Sequence, residues 1–362
     1  MEGNIISVLV TFYNQERYVD DALRSIFMQE TSFPFQVIVG DDGSNDGTVE
    51  KVKQWQSKYP GRIRIVIQER DNNKNYKGVI RVSRNRLSLL KLVDTPYFAY
   101  LDGDDYYTDK KKLQKQYDIL EKPENSDCVG CGHNIRMYKE NDPIKSVIMP
   151  GKLVKQGKYS PKKYWRNYYF HTNTILFRSK YIKELPLDLD IVMDFFDDNV
   201  ITFCFINYGP LYFLRDCMAD YRKKDDGLWD LEREDICCIN EFLLYDFICK
   251  LNPEMKVIGL KRQLGSFIKF SENHDLFDNV DEEYLNIAKK YKCPIARRAL
   301  EKKHLFTSDW AKDTKTINAI RTQCRIESLS ALPFNFANRI FSLPHLPQRV
   351  INKISDRVFH AQ

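Results

Sequence analysis

Residues 97–105 read YFAYLDGDD, an apolar and aromatic run followed at once by three carboxylates around one glycine. Such a run is typical of a strand buried on both faces of a parallel sheet. Two earlier runs, Ile5–Phe12 and Gln36–Val39, have the same character, and the second also ends in carboxylates, in Gly40-Asp41-Asp42-Gly43. Ligands of open α/β sheets bind beyond the carboxyl ends of the strands. We therefore expect the two acidic groups to mark a binding site at one edge of a sheet.

Helical segments separate these strands. Apolar residues recur at helical spacing within 19–27, 49–56 and 79–93, and residues 62–68 alternate as a further strand. Repetition of strand and helix with short links predicts an α/β fold with a mixed, mostly parallel sheet flanked by helices. Either Ser44 or Asp46 is expected to cap the second helix.

The pattern changes after Cys128. An antiparallel pair of strands is expected at 128–138 and 145–154, around the turn Asn141-Asp142-Pro143. The elements that follow are expected to be a helix at 161–169, a strand at 172–178, a helix at 195–207 and a strand at 211–215. The sequence after Trp229 is almost wholly helical, and we place the domain boundary there.

Composition narrows the class of protein. Hydrophobic residues make up 43% and aromatic residues 13% of the 362 residues, which excludes a disordered chain. The net charge of +6 is too small to favour a nucleic-acid partner, and the start of the chain shows no secretory signal. Nine scattered cysteines, an odd number, favour a reducing compartment. We expect a cytoplasmic globular protein.

Asp102 and Asp104 stand just past a buried strand, where the chain can turn both carboxylates toward one point. Mg²⁺ and Mn²⁺ prefer oxygen ligands and usually keep places for phosphate oxygens. The pair therefore suits a metal held between the protein and a diphosphate. The alternative is a solvated turn, since Asp and Gly are turn residues. Asp41 and Asp42 also allow two interpretations, a helix-capping turn or a nucleoside-binding site. One aspartate is enough to cap the helix, so the other can accept hydrogen bonds from a ribose or a base edge.

Other common motifs are absent or incomplete. No G-x-G-x-x-G follows the first strand and no G-x-x-x-x-G-K-[ST] is present, which argues against a dinucleotide fold and a P-loop. Cys128, Cys131 and His133 have the pattern of half a zinc site, but no second pair stands at metal spacing, so we interpret them as strand residues. The aromatic residues at 164–170 either stack on an acceptor sugar or form a face of the hydrophobic core. Their near-helical spacing favours the core face.

Three segments together resemble one family. VLVTFYN at 8–14, VIVGDDGSNDGT at 37–48 and AYLDGDD at 99–105 are similar in order and spacing to the inverting nucleotide-sugar glycosyltransferases of family 2, which have the GT-A (Rossmann-like) fold. Asn85 stands where that family commonly has an Asn before its metal motif. The likeness covers about the first 120 residues and continues more loosely to Trp229. It implies an enzyme of the bacterial surface-polysaccharide type.

The resemblance implies roles for the donor side. Tyr13 would lie near the base and Asp41 would hydrogen-bond it. Asp102 would face the ribose and the metal, Asp104 would bind the metal directly, and His171 is either a further ligand or a structural histidine. The whole set expected to bind the donor is Thr11, Tyr13, Asn14, Asp41, Asp42, Asn85, Asp102, Gly103, Arg222 and Lys224.

The resemblance also implies a base for the acceptor hydroxyl, either Asp197 or Asp198, of which Asp198 is favoured. The family usually has one acidic residue followed by an aromatic, so the doubled Asp leaves the position open by one residue. A carboxylate suits this role because a sugar hydroxyl is a poor nucleophile. The departing diphosphate gathers charge that Mn²⁺ or Mg²⁺ would offset. Residues 222–224 are expected in a polar loop that closes over the diphosphate, with a solvated loop as the alternative.

The C-terminal tail combines apolar residues at every fourth position with an adjoining basic stripe. A basic amphipathic helix with aromatics is typical of interfacial membrane binding, and a terminal helix docked on its own domain is the alternative. We expect the protein at the inner face of the cell membrane as a peripheral component.

These observations lead to one expected organisation. Residues 1–229 form a GT-A domain, with nucleotide-sugar binding in 1–120 and the acceptor side in 121–229; a helical region at 230–330 and a basic tail at 331–362 follow. The expected donor is a UDP-sugar, with GDP- or dTDP-sugars as alternatives. The expected acceptor is a glycan or lipid-linked glycan in O-antigen or capsule synthesis.

Two competing functions remain at this stage. A metal-dependent nucleotidyl or phosphoryl transferase would keep its chemistry without Asp198 but lose it without Asp104. A nucleotide-binding scaffold at a membrane would bind the nucleotide without sugar turnover.

Overall fold

The computed structural model describes residues 3–69, 78–151, 154–167, 170–185, 198–224 and 252. Apart from residues 165–167, its helices and strands belong to a compact unit that includes residues 1–164 and 168–224. The strands are β1 Ile6–Phe12, β2 Phe35–Asp41, β3 Ile63–Ile67, β4 Tyr97–Asp102, β5 Tyr106–Tyr107, β6 Gly130–Lys139, β7 Asp142–Met149, β8 Gly157–Tyr159, β9 Leu176–Arg178 and β10 Leu211–Lys223. The α-helices are α1 Val19–Phe27, α2 Thr48–Lys58, α3 Gly78–Leu90, α4 Lys112–Leu120, α5 Pro161–Asn167 and α6 Asp198–Ile206.

One mixed sheet organises these elements. Its order is β3-β2-β1-β4-β9-β6-β10-β5, with β7 paired to β6 and β8 to β10. The first four strands are parallel, and β9 runs antiparallel to both β4 and β6. The predicted mixed, mostly parallel sheet flanked by helices is confirmed, and it has the character of a GT-A fold. The carboxylates that follow β2 and β4 therefore lie at the same end of the sheet, at the carboxyl ends of the parallel strands.

The central strand β1 explains why this arrangement is stable. Ile6, Val8, Leu9 and Val10 are fully buried, because β1 lies between β2 and β4 and is covered on both faces. The apolar residues of α1 that recur at helical spacing, from Val19 to Ile26, belong to the same core.

Several predicted elements have different bounds in the structure. The strand predicted at 145–154 spans Asp142–Met149 as β7, so Asp142 and Pro143 of the predicted turn lie in the strand. The strand predicted at 172–178 begins only at Leu176, because Thr172–Thr174 is one turn of 3₁₀-helix. In that turn the hydroxyl of Thr174 donates to the His171 carbonyl at 2.6 Å, and the Asn173 N–H donates to the His171 ring at 3.3 Å. These local bonds take the place of ladder bonds.

The last strand is longer than predicted. β10 runs to Lys223 although the sequence pattern ends at Arg215, because two register shifts between Leu214 and Ala219 interrupt the alternation. The prediction of a polar loop is therefore wrong for Arg222 and Lys223, which lie in the strand. Of the two predicted caps, Asp46 bonds to α2: its carboxylate accepts the Thr48 N–H at 3.0 Å.

Several predictions fall outside the described residues: Asp197, the helical region at 230–330 and the basic tail at 331–362. Among the helices that the structure describes, none is both long enough and apolar enough to cross a bilayer.

Candidate active site

The carboxyl ends of β1, β2 and β4 form the floor of the site. Thr11 pairs in register with Gly40 on one side and Asp102 on the other, so the two predicted acidic groups flank β1. The N–H of Gly103 donates to the Thr11 carbonyl at 3.0 Å. A Cβ at Gly103 would stand 2.2 Å from the Phe12 ring, so the glycine between the carboxylates is needed for this close approach.

Asp105 is the most buried of the three carboxylates after β4. It is 1% exposed, and it accepts hydrogen bonds from the Asn173 amide at 2.6 Å and from the Arg222 N–H at 2.8 Å. Burial, together with the charges of Asp104 and Asp102, raises the pKa of the Asp105 carboxyl well above its usual range. A cation placed here would offset this accumulation of negative charge.

A group of three donors fits a divalent cation. Single ligand atoms of Asp102, Asp105 and His171 lie within 4.8 Å of one another. Two carboxylate oxygens and one imidazole nitrogen are ligands that Mn²⁺ accepts. The structure therefore brings together two of the predicted ligands, Asp102 and His171, with Asp105. Sequence reasoning missed Asp105, although it is the last letter of the DGDD motif.

Asp104 stands apart from that group. Its Oδ2 lies 2.7 Å from Nζ of Lys224, which directly follows β10. The carboxylate predicted to bind the metal directly thus pairs with a residue predicted to bind the donor. Its role as a metal ligand stays a prediction.

Asp198, the favoured base, is the first residue of α6. Its Oδ2 lies 3.6 Å from Nε2 of His171, and its Oδ1 lies 3.1 Å from a guanidinium nitrogen of Arg86. The same guanidinium lies 2.6 Å from Oδ1 of Asp102. The structure therefore joins the donor-side carboxylate to the candidate base through Arg86, a residue that sequence reasoning missed.

The expected nucleoside pocket has one exposed aromatic ring. Tyr13 is 40% exposed, and the guanidinium carbon of Arg81 lies 5.6 Å from its ring centre. Nε of Arg81 donates to the Asp42 carboxylate at 2.8 Å. Asp41 is turned inward, where its carboxylate accepts bonds from the N–H and hydroxyl of Ser44 at 2.8 and 2.5 Å. Arg81 is a second residue that the sequence alone did not indicate.

Asn14 and Asn85 support the pocket from within the fold. Asn14 has a left-handed backbone with φ of 48°, and its side chain accepts the Asn45 N–H at 2.9 Å. The amide of Asn85 donates to the Gly40 carbonyl at 2.9 Å, where a Cβ on Gly40 would stand 2.2 Å from the Asn85 side chain. Both side chains hold the acidic loops in place.

Arg222 is buried against aromatic and acidic neighbours. Its guanidinium lies 3.1 Å from Asp21, donates to the Tyr138 hydroxyl at 3.1 Å and stands over the Tyr18 ring. The pKa of this guanidinium is raised, since its hydrogen bond to Tyr138 and its other favourable partners outweigh the cost of burial. These contacts favour a supporting role for Arg222 behind the site.

The cysteines of the possible zinc site and the aromatic cluster at 164–170 contain buried core residues. Cys128 and Cys131 are buried and free, and within the described ranges neither belongs to a group able to hold a metal. Of the aromatic cluster, Tyr164 and Phe170 are buried and pack edge to face at 5.0 Å. The strand and core interpretations of these residues are supported.

Residues 7–185 match the model of glycosyl transferase family 2. Over these residues the chain belongs to glycosyl transferase family 2. The matched stretch holds the sheet edge, all three carboxylates after β4 and His171.

Individual relatives of this family 2 domain are distant. An uncharacterized protein of Mycobacterium tuberculosis is 27% identical over 228 residues, which are 62% of this chain and 60% of that protein. The processive diacylglycerol beta-glycosyltransferase of Mycoplasma pneumoniae is 27% identical over 211 residues, 56% of this chain and 58% of the relative. The chain thus spans about three fifths of the length of these curated relatives.

A solved structure supports the fold of the family 2 domain. Residues 1–349 of TarS from S. aureus, in complex with UDP-GlcNAc, superpose with a TM-score of 0.57 and 19% identity, over 90% of each chain. At this identity the likeness shows the GT-A fold alone.

Proposed function

We propose that this protein transfers a sugar from a nucleotide-diphosphate sugar to an acceptor hydroxyl, with inversion at the anomeric carbon. The observation that carries the proposal is the position of Asp198, beside the acidic group of β4 and distinct from it. A site for this reaction needs a donor-side charge cluster and, next to it, a separate carboxylate to take the acceptor proton. Membership of family 2 supports the same conclusion.

The nucleoside is proposed to bind over the ends of β1 and β2. Tyr13 offers an exposed ring on which a base can stack, and Arg81 with Asp42 offers donors and acceptors to its edge. Thr11 and Gly103, at the ends of β1 and β4, are proposed to line the same pocket. A UDP-sugar is the favoured donor, since TarS binds UDP-GlcNAc, with GDP- and dTDP-sugars as alternatives.

Mn²⁺ or Mg²⁺ is proposed to bind at Asp102, Asp105 and His171. The oxygen-rich donor set and the raised pKa of Asp105 fit a divalent cation. When bound, the ion supplies Lewis-acid stabilisation of the leaving diphosphate. Lys224, which pairs with Asp104, is proposed to lend its positive charge to a phosphate oxygen, and Asp104 is proposed to take part in metal binding when this pair opens.

Asp198 is proposed as the base. Its carboxylate accepts the proton of the acceptor hydroxyl as that oxygen attacks the anomeric carbon, while the bond to the diphosphate breaks. One displacement of this kind inverts the configuration, and no covalent sugar–enzyme intermediate forms. Asp197 is the alternative base.

The acceptor is proposed to be a lipid-linked glycan of bacterial surface-polysaccharide synthesis. Support comes from the Mycoplasma relative, whose name gives diacylglycerol as its acceptor, and from the basic tail at 331–362. We propose that the protein works in the cytoplasm, at the inner face of the membrane, where the tail contacts anionic lipid.

Calorimetry with nucleoside diphosphates tests the donor side. UDP, GDP, dTDP and CDP are titrated separately into the full chain, with Mn²⁺ and with EDTA. We expect one of the four to bind in the presence of Mn²⁺ and to bind at least about tenfold more weakly in EDTA, because Asp102, Asp105 and His171 would hold the ion and its charge would attract the diphosphate. Binding of none of them, or equal binding in EDTA, contradicts the proposed metal-dependent donor site.

A further inference from the structure

Arg86 lies within α3 and yet is only 7% exposed. A guanidinium is costly to bury unless it is paired with charged or polar partners. Its two partners come from different parts of the fold: Asp102 at the end of β4, at 2.6 Å, and Asp198 at the start of α6, at 3.1 Å. Arg86 is therefore a bridge between the donor side and the acceptor side.

The helix that carries Arg86 is fixed on both neighbouring strands. The preceding residue, Asn85, bonds to the Gly40 carbonyl of β2 at 2.9 Å. The carbonyl of Arg86 accepts a hydrogen bond from the Tyr100 hydroxyl of β4 at 3.2 Å. Because α3 is held at these two points, the guanidinium has a defined position, from which it can hold the carboxylate of Asp198 in place.

Charge balance favours a specific role for this bridge. Asp102, Asp104, Asp105 and Asp198 collect negative charge in a small, poorly solvated volume, and they repel one another. The Arg86 guanidinium lies between Asp102 and Asp198 and stays charged, because arginine does not lose its proton in proteins. Its guanidinium forms ion pairs with both carboxylates, while among the described residues its Nε has no hydrogen-bond partner.

We propose that Arg86 is a positioning residue that holds the carboxylate of Asp198 in place as the base and ties it to Asp102 on the donor side. The inference rests on the proposed function, because it assigns Arg86 a role only through Asp198. A planar guanidinium has several donors in a fixed geometry and can serve two carboxylates at once, which a lysine ammonium does less well.

Kinetics of four variants test this role. The readout is release of nucleoside diphosphate from the sugar nucleotide that the wild type hydrolyses in Mn²⁺, with water as acceptor. We expect Arg86→Met to lower kcat by about 10- to 100-fold, the usual effect of a misplaced catalytic group, and Arg86→Lys to recover part of the loss. In the Asp198→Asn background the same Met substitution should lower kcat less than about threefold further, because the group that it positions is already lost.

Lys91→Met is the matched control, since it removes one exposed cation directly after the same helix and should keep the wild-type kcat. Wild-type kcat in Arg86→Met overturns the inference. So does an equal loss of kcat in the two backgrounds, because Arg86 would then act on the donor or on the fold.

A stability cycle covers the case in which Arg86→Met folds poorly. Urea unfolding midpoints of wild type, both single variants and the double variant measure the ion pair without any turnover. We expect Arg86→Met to lower the midpoint clearly in the wild type and less in Asp198→Asn, where no unpaired charge is left on residue 198. Equal shifts in the two backgrounds contradict the bridge.

The proposed function fails in a different way. Wild-type protein that releases no nucleoside diphosphate from any sugar nucleotide overturns the enzyme activity, and the catalytic role of Arg86 falls with it. An active wild type with a fully active Asp198→Asn overturns the base assignment. An active wild type, an impaired Asp198→Asn and an unimpaired Arg86→Met overturn the inference on Arg86 alone.

Discussion

Asp198→Asn is expected to lower kcat for sugar transfer by about 100- to 10,000-fold, the range that general bases contribute. Asparagine has nearly the same shape and keeps a side-chain oxygen facing Arg86, whose guanidinium nitrogen lies 3.1 Å from Oδ1 of Asp198, but it cannot take up a proton. Since the acidic group after β4 is untouched, the affinity for the nucleoside diphosphate in Mn²⁺ should change less than about threefold.

Asp197→Asn is the matched comparison, because it makes the same chemical change one position earlier. We expect this neighbour to keep most of its kcat. The reverse pattern, with the large loss in Asp197→Asn, would move the base by one residue and leave the reaction type intact. Full activity in both variants would contradict a carboxylate base in this segment.

Asp102→Asn is expected to weaken Mn²⁺-dependent binding of the nucleoside diphosphate by at least about 100-fold, more than partners outside the ligand shell usually cost. The substitution removes one of the three grouped ligands and also one carboxylate of the Arg86 bridge. Calorimetry with and without Mn²⁺ measures the effect. Residual metal-independent affinity should stay close to that of the wild type, because the nucleoside contacts at Tyr13 and Arg81 remain.

Asp118→Asn is the control for this prediction, since it makes the same change on the exposed side of α4. Asp104→Asn adds a sharper comparison, because Asp104 pairs with Lys224 and lies outside the group of three ligands. We expect a smaller loss of Mn²⁺-dependent affinity from this variant than from Asp102→Asn. A normal Asp102→Asn beside a defective Asp104→Asn would contradict the ligand set and favour the arrangement predicted from the sequence.

The sheet edge could be predicted from the sequence because its signals are local. The apolar runs of β1, β2 and β4 are continuous, as buried parallel strands require, and the carboxylates follow directly on two of them. Parallel strands bring such residues to one edge whatever the rest of the fold does. Asp102 and Asp41 therefore flank β1 as expected.

Arg86 and Arg81 could not be found in this way. Both are ordinary polar positions in the periodicity of α3, and their partners depend on how that helix packs on β2 and β4. Asp105 was missed for a related reason: three carboxylates surround one glycine, and backbone geometry alone decides which one turns inward toward Asn173. The sequence pattern predicts too short a β10, because the bulges of this strand disturb the alternation on which strand prediction relies.

The proposed reaction breaks the bond between the sugar and the nucleoside diphosphate with inversion at the anomeric carbon. The most direct measurement is an NMR time course of the sugar nucleotide in Mn²⁺ and the full chain, read before the released sugar mutarotates. We expect nucleoside diphosphate together with a sugar whose anomeric configuration is opposite to that of the donor. A nucleoside monophosphate with a sugar phosphate, or a released sugar of unchanged configuration, would contradict it.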